Sequence, residues 1–265
     1  MRCKAVLFFF LAALSCPQVP YAEPLQHPQN NVKTFNHAFA PGEKLTYSIS
    51  WSKFLQAGVA VMEVKEELTS DGKRVYRLIS STKSVGVVEA FYPVRDTVES
   101  IMDPEELYSF SFNLKQSHGG KKRRRELAFD RRNKTVRIAI DDNKPETLTV
   151  PERAQDSLSS LYYMRTRQDF IVEKPILVDI VDGGKLWSVE MYTLGKERIR
   201  TPAGEFDTIK IKTYPKYEGV FIHKGEIFIW ITDDERKIPV LMRSKIAIGS
   251  IVATLTNIQG GKEKP

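Results

Sequence analysis

The chain has 265 residues, 42% of them hydrophobic, with Gly 15 and Pro 14. That is enough apolar material for a sizeable core, and it excludes a low-complexity or fibrous chain. Lys and Arg number 40 against 33 Asp and Glu, a formal charge of +7; such a surplus either draws a protein toward anionic membrane surfaces and polyanions or serves solubility alone.

The N-terminus reads as an export leader over residues 1–22. Arg2 and Lys4 are followed by the apolar run Ala5 to Leu14, too short for a bilayer span of about 20 residues. Ala22 offers a cleavage point before Glu23, whereas Ala13-Leu14-Ser15-Cys16 is similar to a bacterial lipoprotein box in which Cys16 is lipidated. A retained N-terminal anchor is the third possibility. The expected location is the periplasm, with an outer-membrane lipoprotein as the alternative. Cys3 and Cys16 are the only cysteines, so cleavage after Ala22 leaves no thiol and no disulfide, and the fold must rest on its core.

Residues 23–40, rich in Pro, Gln and Asn, read as a tether that ends at the Pro41-Gly42 turn. Period-2 alternation then dominates. Leu45, Tyr47, Ile49 and Trp51 form one apolar row; Tyr108, Phe110, Phe112 and Leu114 form another; Val136, Ile138 and Ile140 form a third. Alternate side chains of a strand point to opposite faces, so each row marks antiparallel strand with one apolar face. Hairpin signals stand at Asp71-Gly72, Asp130 to Asn133, Asp182-Gly183-Gly184 and Asp233 to Lys237. In Glu226–Ile231 both alternating sets are apolar, including Trp230, which predicts a strand covered on both faces.

One segment departs from this period. Leu158, Leu161, Tyr162 and Arg165 recur at helical spacing, Asp156 is placed to cap, and Arg165 and Arg167 suit the last turns. The spacing predicts one helix over 156–168, lying across a sheet face between two strand blocks. The expected architecture is mainly β: a single domain over 41–258, a large curved antiparallel sheet as half-barrel or sandwich with that helix packed on it, and a disordered tail over 259–265.

Chemistry is harder to find. The sequence holds no Gly-x-Ser-x-Gly elbow, no His-Glu-x-x-His, no Walker loop and no dinucleotide fingerprint. His27, His37, His118 and His223 lack ligand spacing. No catalytic residue, metal or cofactor is therefore expected, and Asp156-Ser157 reads as a cap rather than part of a hydrolase triad. Two features remain. The aromatic set Tyr47, Trp51, Tyr108, Phe110, Phe112 and Trp230 forms either an apolar ligand wall or packed core. The run Lys121, Lys122, Arg123, Arg124 and Arg125 meets lipid head groups or guards a solvated hairpin edge. No aromatic residue interleaves this run, and an exported chain does not meet nucleic acid.

Five segments together carry a family resemblance. They are Pro41 to Trp51 with Ala57-Gly58, Phe91 to Asp96, Gln155 to Ser159, Thr201 to Asp207 and Trp230 to Pro239. Over about residues 40–258 the chain resembles the bacterial domain-of-unknown-function 3108 family, which implies an exported envelope protein and transfers no catalytic residue. More loosely, it is similar to periplasmic lipoprotein carriers, which hold acyl chains in an open half-barrel. The expected function is non-enzymatic binding of an apolar or amphipathic envelope ligand; a structural or assembly factor is the alternative. The expected partners are lipid, another envelope protein or an anionic membrane surface.

Overall fold

The computed structural model describes residues 36–52, 55–217, 220–221, 226–245 and 249–262. The leader, both cysteines and most of the tether lie outside these residues. The first strand block runs β1 (Lys44–Trp51), β2 (Leu55–Leu68) and β3 (Arg74–Ser84), then the short helix α1 (Gly86–Phe91). It continues through β4 (Val94–Met102), β5 (Ser109–His118), β6 (Lys121–Asp130), β7 (Thr135–Ile140) and β8 (Glu146–Thr149). Next come β9 (Gln155–Asp156) and helix α2 (Ser157–Arg165). The second block is β10 (Ile176–Asp182), β11 (Lys185–Thr201), β12 (Gly204–Tyr217), β13 (Val220–Phe221), β14 (Ile227–Thr232), β15 (Pro239–Lys245) and β16 (Ser250–Gln259).

Each block is an up-and-down meander, and the first and last strands join them: β1 pairs antiparallel with both β2 and β16. The result is one sheet in the order β8-β7-β6-β5-β4-β3-β2-β1-β16-β15-β14-β12-β11-β10-β9, with β13 off this path beside β12. Only β9, which runs parallel to β10, breaks the antiparallel rule among these strand pairs. Twist accumulates across so many strands and curls the sheet. Gly58 permits one close approach, since a Cβ there would stand 2.6 Å from the Lys83 carbonyl oxygen.

The sheet curls rather than splitting into a sandwich, and it does not close through its backbone. Side chains seal the gap. Arg125 of β6 reaches Asp182 of β10 at 2.5 Å, and Gln155 of β9 donates to the Leu107 carbonyl at 2.8 Å. Helix α2 packs on the inner face of the sheet, within the curl: it lies against β3, β4, β9 and β10, and all its residues except Tyr163 are buried. Leu158, Leu161 and Tyr162 join one continuous core with Tyr47, Ile49, Leu78, Phe112 and Ile231.

Packing begins before the Pro41-Gly42 turn. Ala38 and Phe39 are fully buried, and Phe39 meets Tyr162 edge to face at 4.9 Å. The last residues of the expected tether thus pack against the core. At the other terminus Lys262 Nζ donates to the Asn36 carbonyl, so residues 259–262 of the expected tail lie against the first described residues.

Candidate functional site

The six aromatic residues do not form one wall. Tyr47, Phe112 and Trp230 are 1%, 2% and 3% exposed, Tyr108 is buried, Phe110 is half-buried and Trp51 is exposed. The Tyr47 hydroxyl donates to the Pro239 carbonyl at 2.9 Å, which satisfies it inside the core. Tyr108 and Phe110 stack edge to face at 4.9 Å, with the Arg131 guanidinium 4.4 Å from Tyr108 and Lys73 Nζ 4.4 Å from Phe110. A cleft of about 10 Å³, roughly one water, lies between Tyr108, Phe129, Arg131 and Pro151.

Trp230 shows how a strand comes to be apolar on both sides. Its neighbours Ile229 and Ile231 enter the core. Trp230 itself is covered by long polar side chains: Lys210 and Arg243 stand 5.1 and 5.4 Å from its ring, and its indole N–H donates to Glu197. The same pattern continues along the row, where Lys212 stands 4.4 Å from the Tyr214 ring and 5.5 Å from the Phe228 ring. Glu226 holds both Lys212 and Lys245, and these two cations keep its carboxyl down at about 2. Cations shield the aromatic row there.

Polar groups also lie inside the curl, Asp156 and Arg165 fully buried and Asp182 half-buried. Asp156 caps α2 by accepting from the Leu158 and Ser159 backbone N–H groups, both at 2.8 Å. Its second oxygen accepts the hydroxyls of Ser100 and Ser109, both at 2.6 Å, and so fastens the helix to β4 and β5. Burial raises the Asp156 pKa, opposed by the hydrogen bonds from Ser100, Ser109 and Ser159. Burial also pushes the Asp182 carboxyl up to about 6, opposed by Arg125. Deeper still, the Arg165 guanidinium is fully buried and grips Glu43 through two bonds of 2.6 and 2.8 Å. It donates further to the Ala38 and Arg236 carbonyls. Asp156 engages serine hydroxyls and N–H groups, the work of a cap and a clamp. His118 Nε2 lies 2.8 Å from Asp96. Among the described residues no three His, Cys, Asp or Glu side chains gather as metal ligands.

The basic run is divided by depth. Arg125 is buried against Asp182, and Arg124 is exposed with Glu126 at 3.6 Å. Lys121, Lys122 and Arg123 are exposed. Strand β7 pairs with β6 only from Arg125 onward, so these three cations occupy a stretch of β6 with a bare edge. Beside them stands α1, which the alternation pattern did not announce because a six-residue segment containing two valines reads as strand. Val87 and Phe91 are 60% and 85% exposed.

An up-and-down antiparallel sheet that curls around a buried helix without closing defines a barrel-like protein. The chain belongs to the family described as "protein of unknown function (DUF3108)", which matches residues 46–256. Among curated proteins none matches it. A β-barrel-like protein of domain of unknown function DUF1849 from Brucella abortus is similar in fold: TM-score 0.58 at 10% identity, over 85% of this chain and 100% of that one. A candidate exported protein with a YmcC-like fold from Bacteroides fragilis covers 86% of this chain and 100% of its own at 11% identity, with a TM-score of 0.37. A candidate lipoprotein from Parabacteroides distasonis gives the same coverages and TM-score at 12% identity. No described helix is long and apolar enough to cross a membrane.

Proposed function

We propose that the chain is a non-enzymatic protein of the bacterial envelope that works through contacts of its outer surface rather than by enclosing an acyl chain. The observation that carries this reading is the burial of α2. The helix occupies the space within the curl that a carrier would offer its ligand, and Leu158, Leu161 and Tyr162 pack there against Tyr47 and Phe112. Pockets for apolar ligands are concave and lined by such side chains; in this chain they meet one another. The most exposed large apolar side chain among the described residues is Phe91 of α1, with Val87 on the same helix also exposed; apolar side chains left outside together are expected of a contact surface. The leader-like N-terminus supports export, with the periplasm as the working compartment.

The test is native mass spectrometry of the protein purified from an envelope fraction, combined with a thermal-shift series in fatty acids and phospholipids. The reading expects a bare polypeptide mass and no stabilisation by monomeric lipid. A lipid held one to one, raising the melting temperature by several degrees, would overturn it in favour of a carrier.

A further inference from the structure

One end of the sheet brings exposed apolar side chains and exposed cations together. The Val85 N–H donates to the Ala57 carbonyl at 3.0 Å, which sets α1 beside the start of β2. Trp51 and Leu55 face each other at that end of β1 and β2 and are exposed. On the other flank the Gly119 N–H donates to the Pro93 carbonyl at 2.9 Å. Tyr92 lies so close to Gly119 that a Cβ there would stand 2.6 Å from its ring. The tip of the β5–β6 hairpin is thereby fixed against α1, and Lys121 and Lys122 follow directly.

Helix α1 contributes no fully buried residue to the core, yet it is held firmly. Glu89 takes a bidentate grip from Arg95 at 2.5 and 2.6 Å and a further bond from the Ser84 hydroxyl. This anchoring keeps Val87 and Phe91 outward. They stand four residues apart and so share one helix face. A large aromatic side chain left in water forgoes a transfer gain that burial elsewhere would supply. Lys121, Lys122 and Arg123 have no ion-pair partner among the described residues, whereas Arg124 and Arg125 do. Cations alone would suffice to guard the bare β6 edge; that purpose gives no reason to hold Phe91 in solvent beside them.

We infer that this end, centred on Val87 and Phe91 with Lys121, Lys122 and Arg123 at its rim, docks onto an anionic lipid surface. The apolar pair enters the boundary between head groups and acyl chains, and the cations meet lipid phosphates. The charge decides the occupant: three cations without an ion-pair partner among the described residues, next to an apolar pair, complement a negatively charged interface. The acidic Glu89 is already neutralised by Arg95. This inference rests on the surface-contact reading above and names the surface.

The experiment is co-sedimentation of the purified exported chain with phosphatidylcholine vesicles, with and without phosphatidylglycerol, across a salt series. Binding is expected only with phosphatidylglycerol and should disappear toward 1 M salt, where the Debye length is about 3 Å. The triple variant Lys121→Gln, Lys122→Gln, Arg123→Gln should bind about a hundredfold more weakly, from about 1 kcal/mol per cation and about 1.4 kcal/mol per tenfold. Phe91→Ser should bind at least about tenfold more weakly while keeping the native circular-dichroism spectrum and melting temperature. The inference is overturned by absent binding, by equal binding to both vesicle types, or by unchanged binding of both variants. Self-association that Phe91→Ser abolishes, without vesicle binding, would assign the patch to a second copy and overturn it as well. A bare native mass with no sedimentation refutes this inference alone; bound lipid in the native mass refutes the surface-contact reading itself.

Discussion

Replacing Glu43 by Leu removes the carboxylate that neutralises a fully buried guanidinium. Arg165 would lose its bonds of 2.6 and 2.8 Å to Glu43 and keep only the Ala38 and Arg236 carbonyls, at 3.2 to 3.3 Å. Breaking one side of a buried pair leaves an uncompensated charge, and the loss is about 3–5 kcal/mol. That is a large share of the roughly 5–15 kcal/mol that hold a domain folded. Arg165→Met should cost a comparable amount, because Glu43 is then buried alone. The double variant should recover most of the loss, since an apolar pair of similar volume replaces charges that were expensive to desolvate. The assay is urea denaturation of all four proteins, analysed as a double-mutant cycle. Single variants each within about 1 kcal/mol of the parent, or additive effects in the double variant, would refute the claim that this pair ties β1, α2 and the turn after β14 together.

Leu161→Ala should cost about 2–5 kcal/mol, because Leu161 is packed on all sides within the curl; a loss below about 0.5 kcal/mol in denaturation would contradict that placement. Asp156→Ala should cost more than the roughly 1 kcal/mol of a helix cap, since the Ser100 and Ser109 hydroxyls would also be left buried without an acceptor. The Asp182 carboxyl titrates at about 6 in the folded protein, above the roughly 3.9 of an unfolded aspartate. The folded state therefore holds this proton more tightly. Its contribution, up to about 2–3 kcal/mol, is full below about pH 4 and is lost as pH rises to about 6. Asp182→Asn should remove that slope from a stability profile over this range; an unchanged slope would contradict the assignment. Intact mass of the exported protein should correspond to a chain beginning at Glu23, and a diacylglycerol-modified Cys16 would show lipidation instead.

The strands and α2 were legible because both are written in local periodicity. The alternation of Leu45, Tyr47 and Ile49 and the helical spacing of Leu158, Leu161 and Tyr162 survive unchanged in the structure. Asp156 was recognisable as a cap for the same reason, although the helix ends at Arg165. What escaped depends on partners distant in sequence. Arg165 reads as a cation suited to a helix C-terminus, and nothing nearby announces Glu43, 122 residues away. The choice between half-barrel and sandwich follows from the curl of the whole sheet, which no single strand encodes. The aromatic rows could not say which members would meet in the core and which would be shielded by Lys210, Lys212 and Arg243. Helix α1 was missed because Gly86 to Phe91 is under two turns long, while the bare edge beside Lys121 becomes visible only once β7 is seen to begin pairing at Arg125.

The most direct test of the account places an environment-sensitive fluorophore on the surface. A chain that begins at Glu23 contains no cysteine, so Phe91→Cys and, at the opposite end of the sheet, the exposed Glu235→Cys can each be labelled alone. With phosphatidylglycerol vesicles the label at position 91 should brighten and shift to shorter wavelength, and the label at position 235 should not respond. A response at position 235, or at neither position, would contradict the claim that the α1 end is the working surface of this protein.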